Sequence, residues 1–133
     1  MSKIMVVDDE HDVVFSFKFV LELNGYEVSG FTDPFLALKN FSVGLYDLIV
    51  IDIKMPMIDG FELCKLLKIR DNNDNICFVT AAKINHEDYH YRNRPYELDS
   101  TRIIRKPVSN EELLDHVALM IKQPERLVDY CIN

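Results

Sequence analysis

Five polar side chains follow short apolar runs. Asp8 and Asp9 come directly after Ile4 to Val7, Asp52 closes the run that ends at Ile51, and Thr80 follows Ile76 to Val79. Lys106 stands just beyond Ile103-Ile104. Three carboxylates, one hydroxyl and one ammonium make a chemically suggestive set. Two carboxylates about 4 Å apart repel by roughly 4 kcal/mol at an effective dielectric near 20, so three gathered in one place demand a cation. Oxygen ligands without His or Cys favour a hard divalent ion, Mg²⁺. With that ion and the Lys106 ammonium the three negative charges are balanced. Such a site accepts a phosphoryl group that the bare carboxylates would repel, and one carboxylate can then act as nucleophile in phosphoryl transfer. Taken singly, each residue has a plainer reading: Asp after a strand is a common helix cap, Thr a common strand residue, Lys before Pro a solvated loop residue. The set as a whole is what resists that reading.

The segments around these residues explain how they would meet. The runs Ile4 to Val7, Asp47 to Ile51 and Ile76 to Val79 lack polar alternation, as strands buried on both faces do; Tyr26 to Phe31 reads as a half-polar strand and Ile103-Ile104 as a short last one. Between them lie helical patterns. Residues 11–24 place Val13, Phe17, Val20 and Leu21 on one stripe and stop at Asn24-Gly25. Asp33-Pro34 is a cap followed by Pro at the first helical position, starting a helix to about Phe41. Residues 59–69 bring Phe61, Cys64 and Leu67 together, and Ser109 with Glu112 forms a capping box before Leu113, Leu114, Val117, Met120 and Ile121. The stretch from Lys83 to Arg102 is polar and interrupted by Pro95. It reads as a short helix over 84–91 and an irregular connection. The expected fold is α/β, a doubly wound five-stranded parallel sheet of (βα)5 type with an irregular fourth helix region. In such sheets ligands bind beyond the carboxyl ends of the strands, where the five polar residues stand.

Composition narrows the class. The chain has 133 residues, 48% hydrophobic, with four Gly and five Pro, which excludes a disordered or fibrous protein and suits one domain with a real core. The net charge of −7 argues against a nucleic-acid or anionic-membrane partner for the domain. Cys64, Cys77 and Cys131 are odd in number and widely separated, giving no disulfide framework, so a reducing compartment is the simplest reading. The apolar stretch before Asp8-Asp9 is too short for a signal peptide, no later run has membrane-spanning length, and a cytoplasmic location is expected.

Val6-Val7-Asp8-Asp9-Glu10, then Asp52 with Met55-Pro56 and Asp59-Gly60-Phe61-Glu62-Leu63, then Thr80-Ala81 and Lys106-Pro107, resemble the receiver domain of two-component response regulators, the CheY-like family. The resemblance covers residues 2–122 and leaves 123–133 as a tail or the start of a linker. It implies that Asp52 takes a phosphoryl group from the phosphohistidine of a sensor histidine kinase or phosphotransfer protein. It further implies Asp9 as a direct Mg²⁺ ligand, Asp8 as one acting mainly through water, and the Lys54 backbone carbonyl as the third protein contribution beside Asp52. Lys106 would contact a phosphoryl oxygen, with a cis bond to Pro107, and Thr80 would move to hydrogen-bond the phosphoryl group. Asp59-Gly60 would shape the turn into the third helix, Gly tolerating unusual backbone angles. The chain departs from the family at Ile103, where an aromatic that rotates inward is usual, and at Arg94 to Asp99, which replace a small-residue stretch. A remodelled output face around the fourth helix is therefore expected. One receiver filling the chain would leave no DNA-binding or catalytic output domain, so the signal would pass through contact with a downstream protein. The chain itself would be a monomer or weak homodimer.

Two other functions use some of the same residues. A haloacid-dehalogenase-type phosphatase also has an aspartyl nucleophile with Mg²⁺, but expects a second Asp where Lys54 stands. His86-Glu87-Asp88-Tyr89-His90 fits the H-E-x-x-H zinc helix, so zinc binding through His86 and His90 is an alternative, although the stretch is polar and offers no evident third ligand. A flavodoxin-like cofactor carrier is excluded by Asp8-Asp9-Glu10, which would repel phosphate where such a carrier must bind it.

Overall fold

The structure, a computed structural model, describes residues 1–71, 75–81 and 102–122. The predicted helix over 84–91, Pro95, His86 and His90, and the tail from Gln123 lie outside the described residues. The elements run β1 (Lys3–Val7), α1 (His11–Leu23), β2 (Glu27–Phe31), α2 (Pro34–Asn40), β3 (Leu48–Asp52), α3 (Gly60–Arg70), β4 (Ile76–Thr80), β5 (Ile103–Arg105) and α4 (Asn110–Lys122). The strands form one sheet in the order β2-β1-β3-β4-β5, every neighbouring pair parallel. This is the expected doubly wound arrangement.

The apolar runs are strands because both their faces are covered. Met5, Val7, Ile49, Ile51, Ile76 and Phe78 pack with Ala37 and Leu38 of α2 and with Phe61, Leu63, Cys64 and Leu67 of α3. Their sequence neighbours Ile4, Val6, Leu48, Val50, Cys77 and Val79 pack with Phe17 and Leu21 of α1 and with Leu113, Val117 and Met120 of α4. Each fully buried Val, Leu, Ile or Phe contributes about 1.5–3 kcal/mol, so this two-sided core supplies the main drive for folding. On α1 the buried residues are Val14, Phe17 and Leu21; Val13 and Val20, expected on the same stripe as Phe17 and Leu21, sit at its edge and are half-buried.

Local signals set the helix ends. Asp33 Oδ1 accepts from Phe35 N at 2.8 Å, with Pro34 at the first helical position. At the end of α1, Gly25 takes φ +92° while its N–H donates to Glu22 O and that of Tyr26 to Leu21 O, a Schellman closure that needs the glycine. Ser109 Oγ accepts from Glu112 N at 3.1 Å, but the Glu112 carboxylate returns to the Ser109 hydroxyl rather than to its backbone N–H, so only half of the expected capping box forms.

Among the described residues Cys77 is a free, buried thiol, pushed by burial up to about 12. Cys64 is equally buried, in the core between the sheet and α3. No described helix is long and apolar enough to cross a membrane.

Candidate phosphoacceptor site

The sheet order creates the site. From β1 the chain moves out to β2 and returns across β1 to form β3, so the strand order reverses between β1 and β3, and a crevice opens beyond their carboxyl ends. Val7 is in register with Ile51, which puts Asp8 and Asp9 beside Asp52. Asp52 is in register with Val79, and Thr80 follows at the same edge, buried. Lys106 N donates to Thr80 O at 2.8 Å, which brings the residue after β5 to this edge too. The peptide bond between Lys106 and Pro107 is cis, as the resemblance implied.

One oxygen from each of Asp8, Asp9 and Asp52 lies within 4.8 Å of the others. Asp8 and Asp52 are buried, 2% and 5% exposed, while Asp9 is open to solvent. The Lys106 ammonium donates to Asp8 Oδ2 at 2.7 Å and lies 3.7 Å from both Asp52 Oδ1 and Glu10 Oε1. Asp8 Oδ1 accepts from Glu10 N at 2.9 Å, so both its oxygens are fixed.

Burial pushes the Asp52 carboxyl up to about 7, and the neighbouring Asp8 charge adds to the effect against the pull of Lys106. Asp8 is raised too, because the cost of burial exceeds the gain from its bond to Lys106. Burial works to lower Lys106, but its hydrogen bond to Asp8 and the charges of Asp52, Asp8 and Glu10 win, holding it above the ordinary lysine value. The pocket thus carries more negative charge than its one lysine neutralises. Its donors are all oxygens, and two of them are desolvated. That is the chemistry of a hard-cation site.

The loop from β3 to α3 forms the rim. Gly60 N donates to Ile53 O at 2.7 Å, and Asp59 caps α3 by accepting from Glu62 N at 2.9 Å. A Cβ on Gly60 would overlap the Asp52 carbonyl oxygen and come within 2.9 Å of Ile53 Cα. The glycine is therefore required by close backbone approach, not by the unusual angles expected from the sequence. Between Pro56 and Ile58 the chain makes a three-residue turn, Ile58 N donating to Pro56 O at 2.9 Å, with Met57 at φ +74°.

All the residues picked out from the sequence as Asp8, Asp9, Asp52, Thr80 and Lys106 meet at this edge, and Lys54 stands on its rim, exposed. Glu10 belongs to the motif without a role of its own; its proximity to Lys106 depends on that side chain reaching from the end of β5 across the sheet edge to the end of β1, and its only signal in the sequence is a third acid after two.

Residues 4–118 match the response regulator receiver domain family. The chain belongs to that family. It is 33% identical over 121 residues to the transcriptional regulatory protein PrrA of Mycobacterium leprae, covering 91% of this chain and 50% of that protein. It is also 33% identical over 123 residues to the alkaline phosphatase synthesis transcriptional regulatory protein PhoP of Bacillus subtilis, covering 92% and 50%. The chain therefore spans about half the length of these relatives. Among solved structures it resembles the response regulator TrrA of Thermotoga maritima in complex with Mg²⁺ and BeF, with 30% identity, a TM-score of 0.73, and coverage of 90% of this chain and 99% of that one. The chain is a phosphoacceptor receiver domain of the two-component type, a signalling domain.

Proposed function

We propose that Asp52 is the phosphoacceptor of this receiver, and that its donor is the phosphohistidine of a sensor histidine kinase or phosphotransfer protein. The observation that carries this reading is the placement of Asp52: buried at the end of β3, beside Asp8 and Asp9, with the Lys106 ammonium 3.7 Å from its Oδ1. Asp8, Asp9 and Asp52, with the backbone carbonyl of Lys54, would hold Mg²⁺, which when bound neutralises the carboxylates and shields charge on the transferring group. A deprotonated Asp52 oxygen forms the P–O bond in line as the P–N bond to the donor imidazole breaks. Lys106 supplies a donor for a phosphoryl oxygen, and for that its ammonium must turn from Asp8 toward Asp52. The Thr80 hydroxyl, on the neighbouring strand, would hydrogen-bond the group once transferred. The receiver extends over residues 2–122, it works in the cytoplasm, and its altered surface is read by a downstream protein. The acid excess argues against nucleic-acid binding by this domain's own surface only.

Incubation with Mg²⁺ and acetyl phosphate or phosphoramidate adds one phosphoryl group to the wild type, read by intact mass, and Asp52→Asn abolishes it. Undiminished labelling of the Asn variant overturns the assignment. Continuous phosphate release from simple monoesters would instead favour the phosphatase reading.

A further inference from the structure

The largest apolar residues outside the core are not scattered. Phe15, Phe19 and Leu23 lie at successive i, i+4 positions of α1, opposite the buried Val14, Phe17 and Leu21, and are 66%, 55% and 70% exposed. The Phe15 and Phe19 rings stack on each other at 6.3 Å between centroids, facing solvent. Residues spaced by four share one helix face, so these three form a continuous stripe about two turns long. No metal site, catalytic group or core contact uses it.

The stripe is symmetric about its middle residue. A two-fold axis beside Phe19 that sets two α1 helices antiparallel brings Phe19 against itself and Phe15 against Leu23 of the other copy. Such an axis also keeps each flank of one helix beside the same flank of its mate. Lys18 and Glu22 occupy one flank, exposed, and neither has an ion-pair partner among the described residues. In the antiparallel pair Lys18 of one copy falls only two residues, about 3 Å along the axis, from Glu22 of the other, and the reverse pair forms by symmetry. Asp12, three residues before Phe15 on the same face, lies opposite the chain just beyond Leu23 of the other copy and far from its own counterpart. The charges on this face thus complement a second copy of the same face.

We propose that the outward face of α1 is a self-association surface whose occupant is a second copy of this chain, docked antiparallel about Phe19. Three side chains supply only part of the roughly 800 Å² per partner of a standard interface, so the dimer is weak and forms at high concentration. The net charge of −7 on each copy opposes it further, and about 0.15 M salt, with a Debye length near 8 Å, reduces that repulsion.

Sedimentation equilibrium of the full chain at that salt, from micromolar to about 1 mM, tests the proposal. The wild type shows a concentration-dependent rise in mass toward a dimer. Phe19→Asp, a change at an exposed position whose fold is checked by circular dichroism, weakens association by about tenfold or more. Lys18→Glu weakens it in the same direction, whereas Lys18→Glu with Glu22→Lys restores it, because the exchange preserves both net charge and the cross-pairing. A wild type that stays monomeric throughout overturns the proposal and leaves the stripe to a different protein. Dimerisation that survives Phe19→Asp, or a double exchange that fails to restore it, overturns this face or this antiparallel geometry.

Discussion

Lys106 is held by Asp8, not by Asp52: its ammonium is 2.7 Å from the first and 3.7 Å from the second, although the two acids are neighbours in the same pocket. The unmodified receiver therefore keeps its cation on the acid that would bind metal and off the proposed nucleophile. Lys106→Met removes the cation while keeping much of the stem's packing. Removing one member of a buried pair leaves the other's charge uncompensated. Without a divalent ion, the variant is expected to lose about 1–2 kcal/mol by urea denaturation, less than a full buried-pair loss because the carboxyls can take up protons. Saturating Mg²⁺ should recover most of that stability, yet acetyl phosphate labelling should stay at least about tenfold slower than in the wild type. Wild-type labelling in the Met variant would show that Lys106 has no part in the transfer.

The raised carboxyls set the pH dependence of the ion-free protein. Asp52 titrates near 7 in the folded chain and near an ordinary carboxylate value when unfolded, so the folded state holds an extra proton between the two. Stability must then fall as pH rises through that window, from about 4 to about 7. Asp8, raised as well, acts in the same direction. In chelator, the wild-type denaturation midpoint should drop from pH 5 to pH 8, and Asp52→Asn should flatten most of the slope. At pH 8 the Asn variant should be the more stable by about 1–2 kcal/mol. An identical slope in both proteins would place the coupling elsewhere.

Much of this arrangement was legible in the sequence for one physical reason. Strands buried on both faces read as uninterrupted apolar runs, and the polar residue that ends each run marks the carboxyl edge of the sheet. Ile49 to Ile51 followed by Asp52 is the clearest instance. Caps such as Asp33-Pro34 and Asn24-Gly25 were legible because their bonds are local. What escaped depends on distant closure. The bond from Lys106 to Asp8 spans 98 residues, and nothing near either predicts that Asp8 rather than Asp52 receives it. Arg102, at the end of a stretch that reads as polar, is buried at the far end of the sheet and donates to Asn75 Oδ1. Asn75 in turn donates to Met120 O at 2.9 Å and Asp47 O at 3.2 Å. Such a network declares itself only once β4, β5 and α4 are side by side.

Gly60 couples α3 to the nucleophile's backbone. Since an added Cβ meets the Asp52 carbonyl oxygen and the Ile53 backbone rather than a yielding side chain, Gly60→Ala must push α3 away or displace Asp52. Alanine's better helix propensity, worth about 1 kcal/mol, cannot offset that overlap. A net loss of about 2 kcal/mol or more is expected by chemical denaturation, together with slower phosphoryl labelling at saturating Mg²⁺. A stabilised Ala variant would mean that the approach of α3 to Asp52 is looser than the structure has it.

Met57 carries the one positive φ among the described non-glycine residues, at +74°, and its side chain is exposed. The three-residue turn around it belongs to the rare, strained class. An L side chain in that region costs on the order of 1 kcal/mol, and Asn tolerates it several-fold more often than most residues. Met57→Asn loses almost no buried apolar surface. It should therefore raise stability by about 0.5–1 kcal/mol, equivalent to a few degrees in melting temperature for a domain of this size. Met57→Val, whose β-branch resists positive φ, should instead lower stability by a similar amount. Melting curves of the three proteins in chelator decide the matter: if Asn and Val move the midpoint in the same direction, the backbone at Met57 is not the strained element.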